Sequence, residues 1–324
     1  MEHFLSGQPI AVVHYTAYLA WMRRPGHARA ESTLKVYGQY LRGFVAWVGD
    51  RAWDDVSAAM IEDEYLAAWA SELHARRGRG PAPKTVKGHH DALRSFYGFL
   101  VRRDYASRNT MLKLDAPVCE QRPNDYLRQL EDAALLDATR LPAEHIVVYL
   151  LRFAGLRSCE ARGLLNRDVD TTASLDYPHG SITVRVSKTA AGRRVVPIFP
   201  ELLPEVVRWQ QLQAARGRSD DQVAFLATRH GTPFGATYLE RTVMRVAARG
   251  GVRAHPAPDK GGHHVADVTP HTLRRTFGSW LINHGTPLHV VSHLLGHSST
   301  TITERAYAQL EAQTVAASVF RHVG

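Results

Sequence analysis

The chain has 324 residues, 44% of them hydrophobic and 22% charged, a balance that excludes wholesale disorder and leaves room for two domains. Basic residues outnumber acidic ones to give a net charge of +9. That favours a polyanionic partner, nucleic acid before membrane, although a merely solvated basic surface has the same sum. No apolar run is long enough to span a bilayer, and the N-terminus lacks a signal-peptide pattern. Two cysteines, Cys119 and Cys159, are too few for a disulfide framework, so a cytoplasmic protein is expected. Cys159 sits in an apolar-patterned segment and reads as a small core residue.

Residues 9–24 read as a helix stopped by Pro25 and Gly26. In the next segment Leu34, Tyr37, Leu41, Phe44 and Val48 recur at helical spacing up to Gly49. A third helix spans roughly 57–77, and the basic Gly/Pro stretch RRGRGPAP after it is a loop. KTVKGHHDALRSFYGFLVRR is a strongly amphipathic helix, with Val86, Leu93, Phe96, Tyr97 and Leu100 on one side. Lys84, Lys87, His90 and Arg94 lie roughly opposite as a basic stripe. Together with Lys35 and Arg42 on the second helix, that stripe suits a sugar-phosphate backbone. An ordinary solvated face has the same pattern. Periodicity fails from 107 to 124, where Asn109, Pro117 and Pro123 punctuate the chain. The expected division is therefore a helical domain over 1–108, a linker over 109–124 and a second domain over 125–324.

The second domain opens with helices over 126–139 and 142–154, broken at Gly155. LRSCEARGLL starts another, placing Arg157 at a helix start with Ser158 as a plausible cap. A phosphate fits such a helix end, and Arg157 adds a bidentate fork; an ordinary pair with Glu160 is the local alternative. SITVRVSKTAAGRRVVPI alternates at Ile182, Val184 and Val186, turns, and returns over 195–198, which is a β-hairpin with Lys188 near its tip. Helices follow over 201–216 and 236–249, with QVAFLAT a short strand or extended piece between them. RAHPAPDKGGHHVAD reads as a loop, and its His255, His263, His264 and Asp267 match no standard metal spacing, so no metal is expected. In HTLRRTFGSWL, Leu273, Phe277, Trp280 and Leu281 form the buried stripe. Helical geometry turns Arg274 toward a semi-buried pocket near His271 and sends Arg275 to solvent.

The blocks AGLRSCEARGL, VSKTAAGRRVVPI, TPHTLRRTF, LLGHSS and TERAYAQL, in that order, resemble the signature blocks of the tyrosine recombinases, the phage integrase family. TLKVYGQYLRGFVAWV and KTVKGHHDALRSFYGFL also resemble that family's N-terminal helical domain, so the resemblance covers nearly the whole chain. It implies a mainly α fold with a small β-sheet: a helical, SAM-like core-binding domain followed by an α+β catalytic domain. It implies Arg157, Lys188, His271, Arg274 and His297 as the catalytic set around the nucleophile Tyr307, with Glu160 in support. Arg275 stands where His is common, and Tyr307-Ala308-Gln309 replaces a common Tyr-x-His.

The activity implied by the resemblance is that of a site-specific recombinase, which cleaves and rejoins DNA through a 3′-phosphotyrosine intermediate with no cofactor. Its implied partners are double-stranded DNA with an inverted-repeat core site and further copies of itself, monomeric or weakly associated when free and tetrameric on synapsed DNA. EAQTVAASVF, after Tyr307, is mildly amphipathic and is expected to pack on a neighbouring protomer. A type IB-like topoisomerase, a catalytically inactive architectural or regulatory DNA-binding protein, and a metal-dependent nuclease using the histidine-rich loop are the competing readings.

Overall fold

The computed structural model describes residues 9–27, 29–78, 80–119, 125–185, 192–256, 264–297 and 304. Among them the chain is mainly helical with two small antiparallel sheets, and it divides into two compact units, Met1–Gln121 and Arg122–Gly324.

In the first unit, α1 (Ile10–Trp21), α2 (Glu31–Val48) and α4 (Pro83–Arg102) enclose an aromatic core, while α3 (Ala67–Arg77) adds no buried residue to it. α2 turns Leu34, Leu41, Phe44 and Val48 inward as its spacing demands and ends at Gly49, whose φ is +61°. The third helix is wound wider in its first half, where Met60–Leu66 is π-helical and buries Ile61 and Tyr65. Trp53 meets Phe96 edge-on at 5.4 Å, and Phe44 meets Tyr65 at 5.0 Å. Such pairs add about 0.5–1.5 kcal/mol each beyond burial. Their polar tips are satisfied: Tyr18 Oη donates to Ser95 Oγ at 2.7 Å, and Trp53 Nε1 to His14 Nδ1 at 2.8 Å. His89 pairs with Tyr65 Oη at 3.1 Å and stacks on Tyr40; burial pushes its pKa down to about 4, so the ring is neutral.

Two expectations change here. The stretch expected to be linker is partly core. Thr110–Lys113 forms a 3-10 turn with Met111 fully buried, and the Asn109 side chain donates to the Arg94 carbonyl at 3.1 Å. A turn has no helical period, which is why it read as unpacked. His90, placed on the basic stripe, is 2% exposed and faces the Leu114 carbonyl. The buried sector of α4 runs through His89, His90, Ala92, Leu93, Phe96, Tyr97, Phe99 and Leu100, wider than a single stripe, and Asp91 holds the exposed place between.

The second unit is built around α6 (Pro142–Ala154), which packs on α8 (Leu203–Ala214), α9 (Ala236–Arg249) and α10 (Pro270–Asn283). Ile146, Val147, Val148, Leu150, Leu151 and Phe153 are all buried, the composition of a helix surrounded on most sides. At its first turn the buried Glu144 accepts from Arg249 Nη1 at 2.8 Å and Nη2 at 3.0 Å, tying α6 to α9. Burial alone would raise this carboxyl, but Arg249 and two backbone donors outweigh it and hold the pKa down to about 2. α5 (Gln129–Asp137) starts later than expected, because Arg128 is extended and the Leu127 N–H donates to Thr276 Oγ1 at 2.9 Å.

After α7 (Ser158–Arg162) comes a sheet in the order β1 (Val169–Asp170), β2 (Ser181–Val184), β3 (Arg194–Pro197), with Ile182 opposite Val196 and Val184 opposite Arg194. The hairpin is as expected; β1 was not anticipated, since two residues show no alternation. QVAFLAT is an extended piece joined by single bridges, Leu165 to Ala224 and Ala227 to Pro233. The expected loop RAHPAPDKGGHHVAD instead pairs β4 (Ala254–Pro256) with β5 (His264–Ala266), and His255 Nε2 lies 3.3 Å from Asp267 Oδ1. Its Pro and Gly content masked strands only three residues long. Cys159 is exposed rather than core, because the short α7 buries Glu160 and Ala161 and leaves its preceding residue outward. α11 (Leu288–Leu295) packs on α10.

Candidate active site

Arg157 precedes α7 in extended conformation, and Glu160 reaches back from the third helical position. Glu160 Oε2 accepts the Arg157 backbone N–H at 2.9 Å, and Oε1 accepts Arg157 Nη1 at 2.6 Å. The cap is therefore Glu160, and Ser158 is the first helical residue rather than the cap. At the helix end that looked open to a phosphate, Glu160 takes up the Arg157 N–H from within. Arg157 retains 28% exposure of its side chain and sends Nη2 to the Gly296 carbonyl at 2.9 Å.

Two more arginines converge on the same carboxylate. Arg194, on β3, gives Nη2 to Glu160 Oε2 at 3.1 Å, Nε to the Leu294 carbonyl at 2.5 Å and Nη1 to the Gly192 carbonyl at 2.8 Å. Arg274, on α10 and 3% exposed, gives Nη1 to the Gly155 carbonyl at 2.6 Å and Nη2 to the Leu295 carbonyl, with Nη1 3.8 Å from Glu160 Oε2. Three guanidiniums thus surround one fully buried carboxylate. Burial would raise Glu160, but Arg194 first and then Arg157 hold it down to about 2. The carboxylate offsets repulsion among the cations and leaves the cluster positive, as a site for a phosphodiester must be.

His271 and Arg274 sit three apart on α10, whose N-cap Thr269 accepts the Thr272 N–H at 3.2 Å. His271 is exposed, and Arg275, expected in solvent, is half-buried because α10 packs on both α6 and α11. His297 follows the left-handed Gly296 at the end of α11 and is half-buried. Its burial, then the charges of Arg274, Arg157, Arg194 and His271, push its pKa down to about 4. It is a neutral imidazole at neutral pH, able to donate or accept a proton. Hydrogen bonds and ion pairs bring Arg157, Arg194 and Arg274 together at Glu160, and His297 follows directly on Gly296, whose carbonyl receives Arg157. Lys188, Val186, Tyr307 and the segment after it lie outside the described residues, as does His263.

Sequence reasoning missed Arg194. The signal was available: with Val196 facing inward, period-two alternation puts Arg194 on the same buried face. A buried arginine demands a carboxylate and carbonyl partners.

A sequence model described as the phage integrase family matches residues 123–314, which takes in every residue of this cluster together with Lys188 and Tyr307. The chain belongs to the phage integrase family. Its curated relatives include the tyrosine recombinase XerD of Lacticaseibacillus casei, 29% identical over 89% of this chain and 91% of that one. A tyrosine recombinase XerC of Alcanivorax borkumensis is 27% identical over 83% of this chain and 80% of that one. The fold is shared with the Tn1549 transposon integrase solved with transposon right end DNA, at 19% identity, 96% and 99% coverage of the two chains and a TM-score of 0.69. It is shared also with a lambda integrase dimer bound to a COC′ core site, at 15% identity, 93% and 94% coverage and a TM-score of 0.67. As a member of that family the protein is a site-specific DNA recombinase of the tyrosine recombinase class.

Proposed function

We propose that Arg157, His271, Arg274 and His297, backed by Glu160, bind the scissile phosphate, that Tyr307 is the nucleophile and that Lys188 is the general acid. The observation that carries this is the pairing of Glu160 with both Arg157 and Arg274, which brings a guanidinium from the start of α7 and one from α10 to one point. Two planar forks can follow the growing charge on the non-bridging oxygens toward the transition state. Tyrosine ionises near pH 10 in water, so its attack needs neighbouring cations or a base to take the proton. Tyr307 Oη bonds to phosphorus, the bond to the 5′ oxygen breaks, and that oxygen takes a proton from the acid. The phosphotyrosine keeps the energy of the broken bond, and attack by another 5′ hydroxyl reseals the strand.

We assign further DNA contact to the helical unit. Lys35, Arg42, Lys84 and Arg94 are exposed and Lys87 is half-buried, which supports their contact with phosphates, whereas His90 has no such access. Recombination joins paired sites, so we read the working form as a tetramer on synapsed inverted-repeat DNA, and its compartment as the cytoplasm with the nucleoid.

A nicked suicide duplex carrying the protein's own site tests the assignment. Incubated in EDTA, the protein should form a denaturation-resistant adduct that is lost in Tyr307→Phe. An adduct that persists in that variant refutes the nucleophile. Cleavage that needs metal and leaves no adduct supports the nuclease reading instead.

A further inference from the structure

Arg194 belongs to the arginine cluster yet has no place in the phosphate chemistry above. Its side chain is 0% exposed. All three of its donating nitrogens are engaged, on three different segments: Nη2 with Glu160 of α7, Nε with the last turn of α11 at Leu294, and Nη1 with Gly192 just before its own strand. The partners matter more than their number. Glu160 is the acceptor for both the side chain and the backbone of Arg157. The last turn of α11 supplies the Leu295 and Gly296 carbonyls, which receive Arg274 and Arg157, and it leads directly into His297. One buried guanidinium therefore braces the acceptors that orient both of the proposed phosphate-binding arginines.

We propose that Arg194 is a positioning residue for strand cleavage: by clamping Glu160 and the last turn of α11 in one grip, it sets the aim of Arg157 and Arg274. The inference rests on the assignment of those two arginines to the scissile phosphate. An ammonium at this position cannot replace it, since a lysine has one compact head for acceptors on three segments, while the guanidinium spreads its donors in a fixed plane.

Loss of Arg194 also changes the proton chemistry. The charged groups around Glu160 are Arg194 on β3, Arg157 beside α7 and Arg274 on α10, and His297 after α11 feels the same three arginines together with His271. Arg194 is the largest of the influences that hold the buried carboxyl ionised against its desolvation. Without it, burial is opposed only by Arg157 and Arg274, so the Glu160 carboxyl protonates more readily and its hold on Arg157 weakens at acid pH.

The test uses the full-length protein, a suicide duplex and single-turnover adduct formation, with DNA affinity measured in parallel. Arg194→Met should form adduct about 100-fold more slowly at neutral pH, with affinity for the duplex within about threefold of the unsubstituted protein. Its rate should fall further as the pH is lowered, more steeply than that of the unsubstituted protein, and adding Glu160→Gln should remove the difference in profile. If Arg194→Met does not fold, Arg194→Lys serves: it keeps the charge, so the rate should fall with affinity and pH profile unchanged. A folded variant with unaltered rate and profile overturns the proposal. So does a loss of affinity equal to the loss of rate, which is the mark of a purely structural role. Failure of the unsubstituted protein to form an adduct, or an adduct in Tyr307→Phe, instead overturns the underlying assignment.

Discussion

Gly155 and Gly296 close α6 and α11 with φ of +58° and +61°, and each turns its carbonyl onto a proposed phosphate-binding arginine. Neither position admits a side chain. A Cβ on Gly155 would stand 2.3 Å from Phe277 Cδ1, and one on Gly296 would stand 2.8 Å from Arg194 Nη1. At Gly155 the obstacle is a packed ring, so a substitution there attacks the core. At Gly296 it is the guanidinium itself, so the damage falls on the site. Gly296→Ala should therefore cost only about 1–2 kcal/mol of stability from its left-handed backbone. Adduct formation should fall by about 100-fold as the cluster shifts. A thermal melt and a suicide-duplex assay run together check this, and equal small effects on both would count against the arrangement. At this scale the sequence was informative about identity but not about partnership. The pair Arg157 and Glu160 could be read from spacing, whereas the convergence of Arg194 and Arg274 on the same carboxylate could not.

Elements were legible where a long helix exposed one side and buried the other. α2, α4 and α10 each carry their apolar residues at helical spacing and appear close to where the pattern puts them. Short pieces were not legible: β1, β4 and β5 have two or three residues, too few for alternation to register. α4 shows the limit of the stripe argument, since its core face is wide enough to take in His89 and His90. Phe96 lies at the centre of that face, fully buried between Tyr18 and Trp53. Phe96→Ala should destabilise the first unit by about 3–5 kcal/mol through lost burial and the cavity left behind. Hydrogen exchange on the full chain should then show lost protection across α1, α2 and α4, with protection of α6 and α10 retained. Loss spread evenly over both units would contradict their separate cores.

For the molecule as a whole, the excess of basic residues that first suggested a nucleic acid is put to two uses. Arg152, Arg194, Arg249 and Arg274 are bound up in ion pairs and carbonyl contacts inside the second unit. Lys35, Arg42, Lys84 and Arg94 remain outside on the helices of the first. If these exposed residues meet phosphates, DNA affinity should fall steeply with salt, and each lost contact should reduce the log–log slope by about 0.9. Affinity titrations of Lys84→Gln and Arg94→Gln at several salt concentrations check this, with His90→Gln as the comparison that should leave the slope unchanged. Slopes unaltered in the first two would remove α4 from the DNA-binding surface.

By itself the sequence determined the residue types, their order along the chain, the long amphipathic helices and the family, because each of these is written in local spacing. Only the tertiary structure decided which donors meet which acceptor: that Glu160 caps its own helix, that Arg194 braces it from a strand, and that two glycine carbonyls orient two arginines. Those pairings join segments far apart in the chain, and they form only when burial removes water as the competing partner. Spacing along a sequence carries no record of that exchange.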